Sequence, residues 1–215
     1  NGHPGIKDPI EALGVPHVEV ELIVVNGESV GFDYRLQDGD RVAVYPVFES
    51  FDVSPAVKLR EKPLRKIAFV VDVNLGRLAR LLRLLGFDAL FSNAYADDEI
   101  AAISEAQGRI VLTRDRRLLH AKAVTHGYWV RSVWPRRQVD EVVRRFDLAG
   151  LIRPFSRCAD CNGRIEPVAK EAVADRLEPK TKKYFDKFYR CPGCGKIYWE
   201  GSHVDKLRER FSGML

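Results

Sequence analysis

The sequence predicts an α/β protein: a parallel sheet flanked by helices, with a small β-rich segment before it and a cysteine-bearing segment after it. Three observations lead there. From residue 66 onward, short continuous apolar runs alternate with amphipathic stretches, as strands buried on both faces and linked by helices would require. Before residue 55, β-rich runs are separated by Asn-Gly and Asp-Gly, dipeptides that favour tight turns. After residue 151, all four cysteines fall in two C-x-x-C pairs.

With 215 residues, 46% hydrophobic and 30% charged, the chain can bury a sizeable core distributed over a few small domains. It contains no run of eighteen apolar residues and no basic-then-apolar leader, so a soluble cytoplasmic protein with no membrane partner is expected. The only methionine is Met214 and the chain opens NGHPGIKD, so residue 1 is not expected to be the natural start. The net charge of +5 conceals an uneven distribution: residues 1–55 carry −7, residues 56–150 carry +7 and residues 151–215 carry +5. An acidic head on a basic body suggests separate domains, and the basic part offers what a polyanion-binding surface needs.

The opening IKDPIEALGVP reads as a short helix with apolar Ile6, Ile10 and Leu13, Pro9 in its first turn and Gly14 as its stop. VEVELIVVNGESVGF then reads as a hairpin turning at Asn26-Gly27, and LQDGDRVAVYPVF as a turn at Asp38-Gly39 followed by a strand. These residues resemble the β-grasp, ubiquitin-like fold, and NGESV followed by LQDGDRVAVYPVF is similar to its sulfur-carrier branch. A complete β-grasp places a hairpin before its helix, and that hairpin is missing here. Sulfur carriers act through a free C-terminal Gly-Gly. Here the strand continues through Pro46 and Phe48 into FDVSPAVKLREKP, so an interaction or regulatory module, with a protein as its partner, is expected instead.

The expected organisation is a β-grasp domain over 1–55, a linker over 56–65, the α/β domain over 66–150 and the cysteine segment over 151–215. In the α/β part, IAFVVD is a strand ending in an acid, and NLGRLARLLRLLG is a helix with Leu75, Leu78, Leu82 and Leu85 on its apolar face and Gly86 as its stop. FDALF is a strand, DDEIAAISEAQG a helix, RIVLT a strand, RDRRLLHAKAVTHG holds a helix, YWVRSV is a strand and QVDEVVRRF a final helix.

In open parallel sheets, functional groups gather at the carboxyl ends of the strands. Asp72 ends one strand and Asp115 lies two residues past another, while Asp97 and Asp98 open the intervening helix and would reach the same edge. Converging carboxylates repel unless a cation neutralises them. Mg²⁺ or Mn²⁺ takes carboxylate oxygens and positions the oxygens of a phosphodiester. Arg114, Arg116 and Arg117 would then face phosphate, and Thr113 or Asn74 would orient a ligand or water. Taken singly, Asp72 and Asp115 are ordinary helix caps.

RCADCNGRI and RCPGCGKIYW place Cys158, Cys161, Cys191 and Cys194 at the spacing of a tetrahedral Zn²⁺ site. Four protein ligands leave no open position, which makes the zinc structural. Two disulfides are the competing reading, disfavoured in a reducing compartment. His203 would be a ligand only if a cysteine were not. Lys180, Lys182, Lys183, Lys187 and Arg190, interleaved with Tyr184, Phe185, Phe188 and Tyr189, read as a packed core with a solvated basic face in preference to a base-stacking surface.

FVVDVNLGRLARLLRLLGFDALF, DDEIAAISEAQGRIVLTRDRRLL and the two cysteine pairs together resemble the Mut-seven-C family, a PIN-like ribonuclease domain with its own zinc-ribbon extension, known also in fusion to an N-terminal ubiquitin-like domain. The resemblance implies a PIN-like fold acting on RNA, with Asp72, one or both of Asp97 and Asp98, and Asp115 as its acidic metal site. Asp140 and Glu141 are the candidates for a fourth acid. A non-catalytic RNA-binding adaptor is the principal alternative, and a phospho-acceptor domain using Asp72 or Asp115 is a second. Neither G-x-x-x-x-G-K-[ST] nor a strand-linked G-x-G-x-x-G appears, so no nucleotide cofactor is expected.

Overall fold

The computed structural model describes residues 5–46, 67–154 and 156–201. The expected linker over 56–65, the course of the chain after Pro46 and His203 lie outside the described residues. In chain order the elements are α1 (Lys7–Ala12), β1 (Val20–Val25), β2 (Glu28–Val30), β3 (Val42–Pro46), β4 (Ala68–Val71), α2 (Gly76–Leu84), β5 (Asp88–Leu90) and α3 (Asp97–Gln107). They continue with β6 (Ile110–Thr113), α4 (Arg116–Leu119), β7 (Gly127–Trp129), α5 (Pro135–Arg145), β8 (Glu166–Val168), α6 (Pro179–Tyr184), β9 (Phe188–Arg190) and β10 (Ile197–Trp199). Among the described residues no helix is long and apolar enough to cross a membrane.

The chain divides into two compact units, each discontinuous in sequence: Asn1–Asn74 with Asn93–Arg131, and Leu75–Ser92 with Ser132–Leu215. In the first unit an antiparallel sheet of order β2-β1-β3 carries α1 on a core of Ile6, Ile10, Val20, Ile23 and Val25. The hairpin turns where expected, with Asn26 and Gly27 both at positive φ. Asn26 does more than turn the chain: its amide donates to Asp40 Oδ1 at 2.8 Å and accepts from the Arg41 amide at 3.0 Å, tying the hairpin to the Asp-Gly-Asp turn. Leu13, expected as an apolar position of α1, follows the last helical residue and is 85% exposed.

The same unit holds the parallel strands β4, β6 and β7, paired Phe69 to Ile110, Val71 to Leu112 and Leu112 to Tyr128. Every residue of β4 and β6 is buried, which is why both read as unbroken apolar runs. Strand β7 is three residues long where six were expected. Past Trp129 the chain makes one more sheet bond, Val130 N–H to Thr113 O at 2.8 Å.

The β-grasp segment and these parallel strands pack as one body. Val18 approaches β7 closely enough that a Cβ at Gly127 would stand 3.3 Å from its Cγ2 and 2.5 Å from Leu119 Cδ2, so any larger residue there would make both side chains shift. Glu19, 6% exposed, turns inward from a 3₁₀ turn over His17–Glu19. Its carboxylate accepts from the Trp129 amide at 2.6 Å and from Arg131 Nη2 at 2.8 Å. Burial would lower the Arg131 pKa, but the bond and charge of Glu19 outweigh it and hold that pKa above its ordinary value. Glu11 pairs with two histidines, His17 at 2.6 Å through Oε1 and His120 at 3.3 Å through Oε2.

In the second unit α2 packs on β5 and on α5. The buried face of α2 is Leu78, Ala79, Leu82 and Arg83, an arginine in a core position. Helix α5 begins at Pro135, three residues before the expected start, with proline in the first turn where no amide donor is needed. Strands β8, β9 and β10 form a small antiparallel sheet of order β10-β9-β8.

Replacing Glu19 by Ala strands the Trp129 amide and removes a charge-assisted bond, so a loss of about 2 kcal/mol of stability is expected. Urea unfolding monitored by tryptophan fluorescence measures it; Arg131→Ala, at a more exposed position, is expected to cost less.

Candidate active site and metal centre

Asp72 follows β4 directly and is 3% exposed. A carboxylate that deep needs hydrogen bonds in place of the water it has lost. The Thr113 hydroxyl donates to Asp72 Oδ2 at 2.6 Å, and the Asp72 amide donates to Leu112 O at 3.0 Å. The same Thr113 oxygen accepts from the Asp115 amide at 2.8 Å, and Asp115 Oδ1 accepts from the Arg117 amide at 2.9 Å. One buried hydroxyl therefore connects the acids at the ends of two adjacent parallel strands. Thr113 itself is fully buried, and its hydroxyl is occupied by protein groups on both sides.

The other expected site residues lie as follows. Asp97 and Asp98 are exposed in the first turn of α3, where negative charge suits the helix dipole, and Asp98 Oδ1 accepts from the Glu99 amide at 3.0 Å. Asn74 is exposed in a 3₁₀ turn over Val73–Leu75, and Arg114 is exposed. Arg116 stacks over the Trp129 ring at 5.0 Å, and with Arg117, His120, Glu11, Ala12 and Gly14 it lines an open cavity of about 460 Å³. Glu141, a candidate fourth acid, accepts from the Ser132 amide at 3.0 Å. The structure joins Asp72 and Asp115 through Thr113 and, among the described residues, gathers no three carboxylates with their oxygens all within 4.8 Å of one another.

Among the described residues, Cys158, Cys161, Cys191 and Cys194 are the one set of three or more His, Cys, Asp or Glu whose ligand atoms do converge within 4.8 Å. Cys158 Sγ lies 3.5 Å from Cys194 Sγ and Cys161 Sγ lies 3.3 Å from Cys191 Sγ, so each close pair joins the two knuckles and all four thiols are free of disulfides. A tetrahedron with metal–sulfur bonds of about 2.3 Å has edges of about 3.8 Å, and the four sulfurs, all within 4.8 Å of one another, cluster on that scale.

The knuckles repeat one backbone design. The Cys158 amide donates to Gly163 O at 2.7 Å and the Asn162 amide returns to Cys158 O at 3.0 Å; the Cys191 amide donates to Lys196 O at 2.9 Å and the Gly195 amide returns to Cys191 O at 2.8 Å. Asn162 and Gly195 hold the same left-handed position. The first knuckle uses asparagine there because its buried side chain has a second task, donating to Asp88 Oδ1 at 2.8 Å and accepting from the Ala89 amide at 3.1 Å. Arg83 adds to that anchor, donating to Ala89 O at 2.8 Å and to Asp160 O at 2.8 Å.

Burial opposes ionisation of Cys158, but the Cys161 amide and the Tyr198 hydroxyl outweigh it and bring this thiol down to about 6. The Gly163 amide favours a Cys161 thiolate, yet burial and the adjacent thiols push Cys161 up to about 12. One thiolate among four crowded sulfurs blocks the next, and a dication removes that block. Sequence reasoning missed Glu19, Arg83 and Asn162. Arg83 was detectable as a charge on the apolar face of a leucine-rich helix.

A parallel α/β fold with acids at two adjacent strand ends, a β-grasp module and a four-cysteine ribbon together define a ribonuclease-domain architecture of the Mut-seven-C kind. The chain belongs to that family: the model of the Mut7-C RNAse domain matches residues 67–211, and that of the Mut7-C ubiquitin domain matches residues 1–52. No curated protein and no solved structure matches the chain.

Two outcomes are expected. Replacing Thr113 by Val leaves the Asp72 carboxylate and the Asp115 amide without their shared partner and lowers stability by about 1–3 kcal/mol in denaturant titration. Chelating zinc at neutral pH unfolds the cysteine-bearing segment. Far-UV circular dichroism that stays unchanged after verified metal removal would sink the structural-zinc reading.

Proposed function

We propose that this chain is a metal-dependent ribonuclease that hydrolyses RNA phosphodiesters at the carboxyl edge of its parallel strands. The observation that carries it is the Asp72–Thr113–Asp115 connection at the ends of β4 and β6, in a chain of the Mut7-C RNAse family. Mg²⁺ and Mn²⁺ keep most of their waters and need only one or two protein carboxylates, so Asp72 and Asp115 suffice as donors, with Asp97 and Asp98 as further ones. Such an ion, when bound, would supply an activated water and neutralise phosphate charge. Thr113 fixes the rotamer of Asp72 and the backbone of Asp115. Asn74 would orient a ligand, and Arg114, Arg116 and Arg117 would hold the RNA backbone.

The proposed modules are 1–55, 66–150 and 151–215, joined by 56–65. In this reading the zinc ribbon braces the fold and helps retain RNA. The acidic ubiquitin-like module docks a protein partner or shields the basic surface, and the Glu11 and Glu19 contacts attach it firmly enough to report on the nuclease. One observation favours a second reading, a non-catalytic RNA-binding adaptor: Asp115 also serves as the cap of α4.

End-labelled structured and single-stranded RNAs are to be incubated with Mn²⁺ or Mg²⁺ and either the wild type or a folded, zinc-loaded Asp72→Asn/Asp115→Asn double mutant. Cleavage is expected to fall about 100-fold or more in the mutant, the order seen when a transition-state electrostatic contact is removed. RNA binding by both proteins with cleavage by neither would support the adaptor.

A further inference from the structure

The three tryptophans sit in different surroundings. Trp129 lies between two guanidinium groups, Arg116 at 5.0 Å and Arg131 at 5.1 Å from its ring centroid. Trp199 has the Phe185 ring 6.4 Å away. Trp134 is 65% exposed, and among the described residues its indole makes no hydrogen bond, ring contact or cation–π contact. Its neighbour Val133 is exposed as well. Burial of an indole is a large stabilising resource, and this one is left in water.

The display is not a loose loop. The Ser132 amide donates to Glu141 Oε2 at 3.0 Å, and the Ser132 carbonyl accepts from Gln138 Nε2 at 2.9 Å. The Trp134 amide donates to Ser132 Oγ at 3.2 Å, the Trp134 carbonyl accepts from the Gln138 amide at 2.9 Å, and Pro135 fixes the next φ. Gln138 is one of the few buried polar side chains, and its amide is used to hold the backbone beneath an exposed tryptophan. All of these residues belong to the second unit. A platform fixed in advance loses little entropy when something lands on it.

The charge beside the indole narrows what that is. Arg136 and Arg137, both exposed, stand in the first turn of the eleven-residue α5, and no acid shares that turn. Cations at a helix N-terminus oppose the helix dipole, and an anion landing there relieves both. An open aromatic face next to paired cations suits an unstacked base flanked by phosphates. A duplex keeps its base faces stacked and out of reach.

We propose that Trp134 is a base-stacking platform: an unpaired base of single-stranded RNA lies on the indole while Arg136 and Arg137 contact the adjoining phosphates. The proposal rests on the ribonuclease reading and gives it a substrate class, RNA with unpaired bases.

The test is fluorescence anisotropy of a short labelled single-stranded RNA, and of the same strand in a duplex, titrated with the full zinc-loaded chain without added Mg²⁺ or Mn²⁺. Trp134→Ala is expected to weaken single-strand binding about 5- to 100-fold, the range of one lost base stack, and to leave duplex binding unchanged. Trp134→Phe is expected to restore part of the loss. Because the side chain is exposed, both variants are expected to unfold at the wild-type temperature. Single-strand affinity unchanged in Trp134→Ala, or lost equally for both RNAs, overturns the proposal and leaves Val133 and Trp134 as a surface for a protein. Trp134-dependent binding by a chain that cleaves no RNA keeps the platform and removes the ribonuclease reading. Asp72-dependent cleavage with Trp134-independent binding does the reverse.

Discussion

The Thr113 hydroxyl is the small group on which the carboxyl edge of the parallel strands depends. A carboxylate as buried as Asp72 loses hydration that only a short, well-aligned donor replaces, and Thr113 provides one at 2.6 Å. Because the same oxygen accepts from the Asp115 amide, it also sets how the chain leaves β6 and enters α4. The depth of one acid and the placement of the other are therefore one feature. Valine would fill the same space and satisfy neither group, which explains a threonine in an otherwise apolar strand.

The same physical device recurs in both units. Charged or amide side chains are carried inward to satisfy backbone groups outside their own helix or turn. Glu19 does this for Trp129, Arg83 for Ala89 and Asp160, and Gln138 for Ser132. Each bond is directional, so it fixes register and orientation where apolar packing alone would tolerate sliding. The β-grasp segment is thus attached to β7 by a specific contact and shares one compact body with it.

Among its described residues the cysteine segment buries a small cluster of Cys158, Ile165 and Cys191 with Tyr189 and Tyr198 packed against it. Two matched knuckles bring four sulfurs together there, a cluster that suits a structural zinc. At the left-handed position the first knuckle departs from the second, with asparagine in place of glycine. That exchange gives up conformational ease and gains two anchoring hydrogen bonds to Asp88 and Ala89.

The fold class, the turn at Asn26-Gly27, the buried strands β4 and β6 and the four-cysteine cluster were legible because each is written locally, in a period, a dipeptide or a spacing. Element ends were less so. The helix at α1 stops before Leu13, β7 is short, and α5 begins early at Pro135, since chain ends answer to distant hydrogen bonds as well as to propensity. Of the acidic residues, the sequence placed Asp72 and Asp115 at strand ends; the tertiary structure decided that Thr113 joins them and that Asp97 and Asp98 begin α3 in the open. Glu19 and Gln138 read as ordinary polar residues in one dimension, and Arg83 as a charge out of place on an apolar helix face. Their roles depend on backbone groups that come within 3 Å only after folding, and no local pattern encodes that distance.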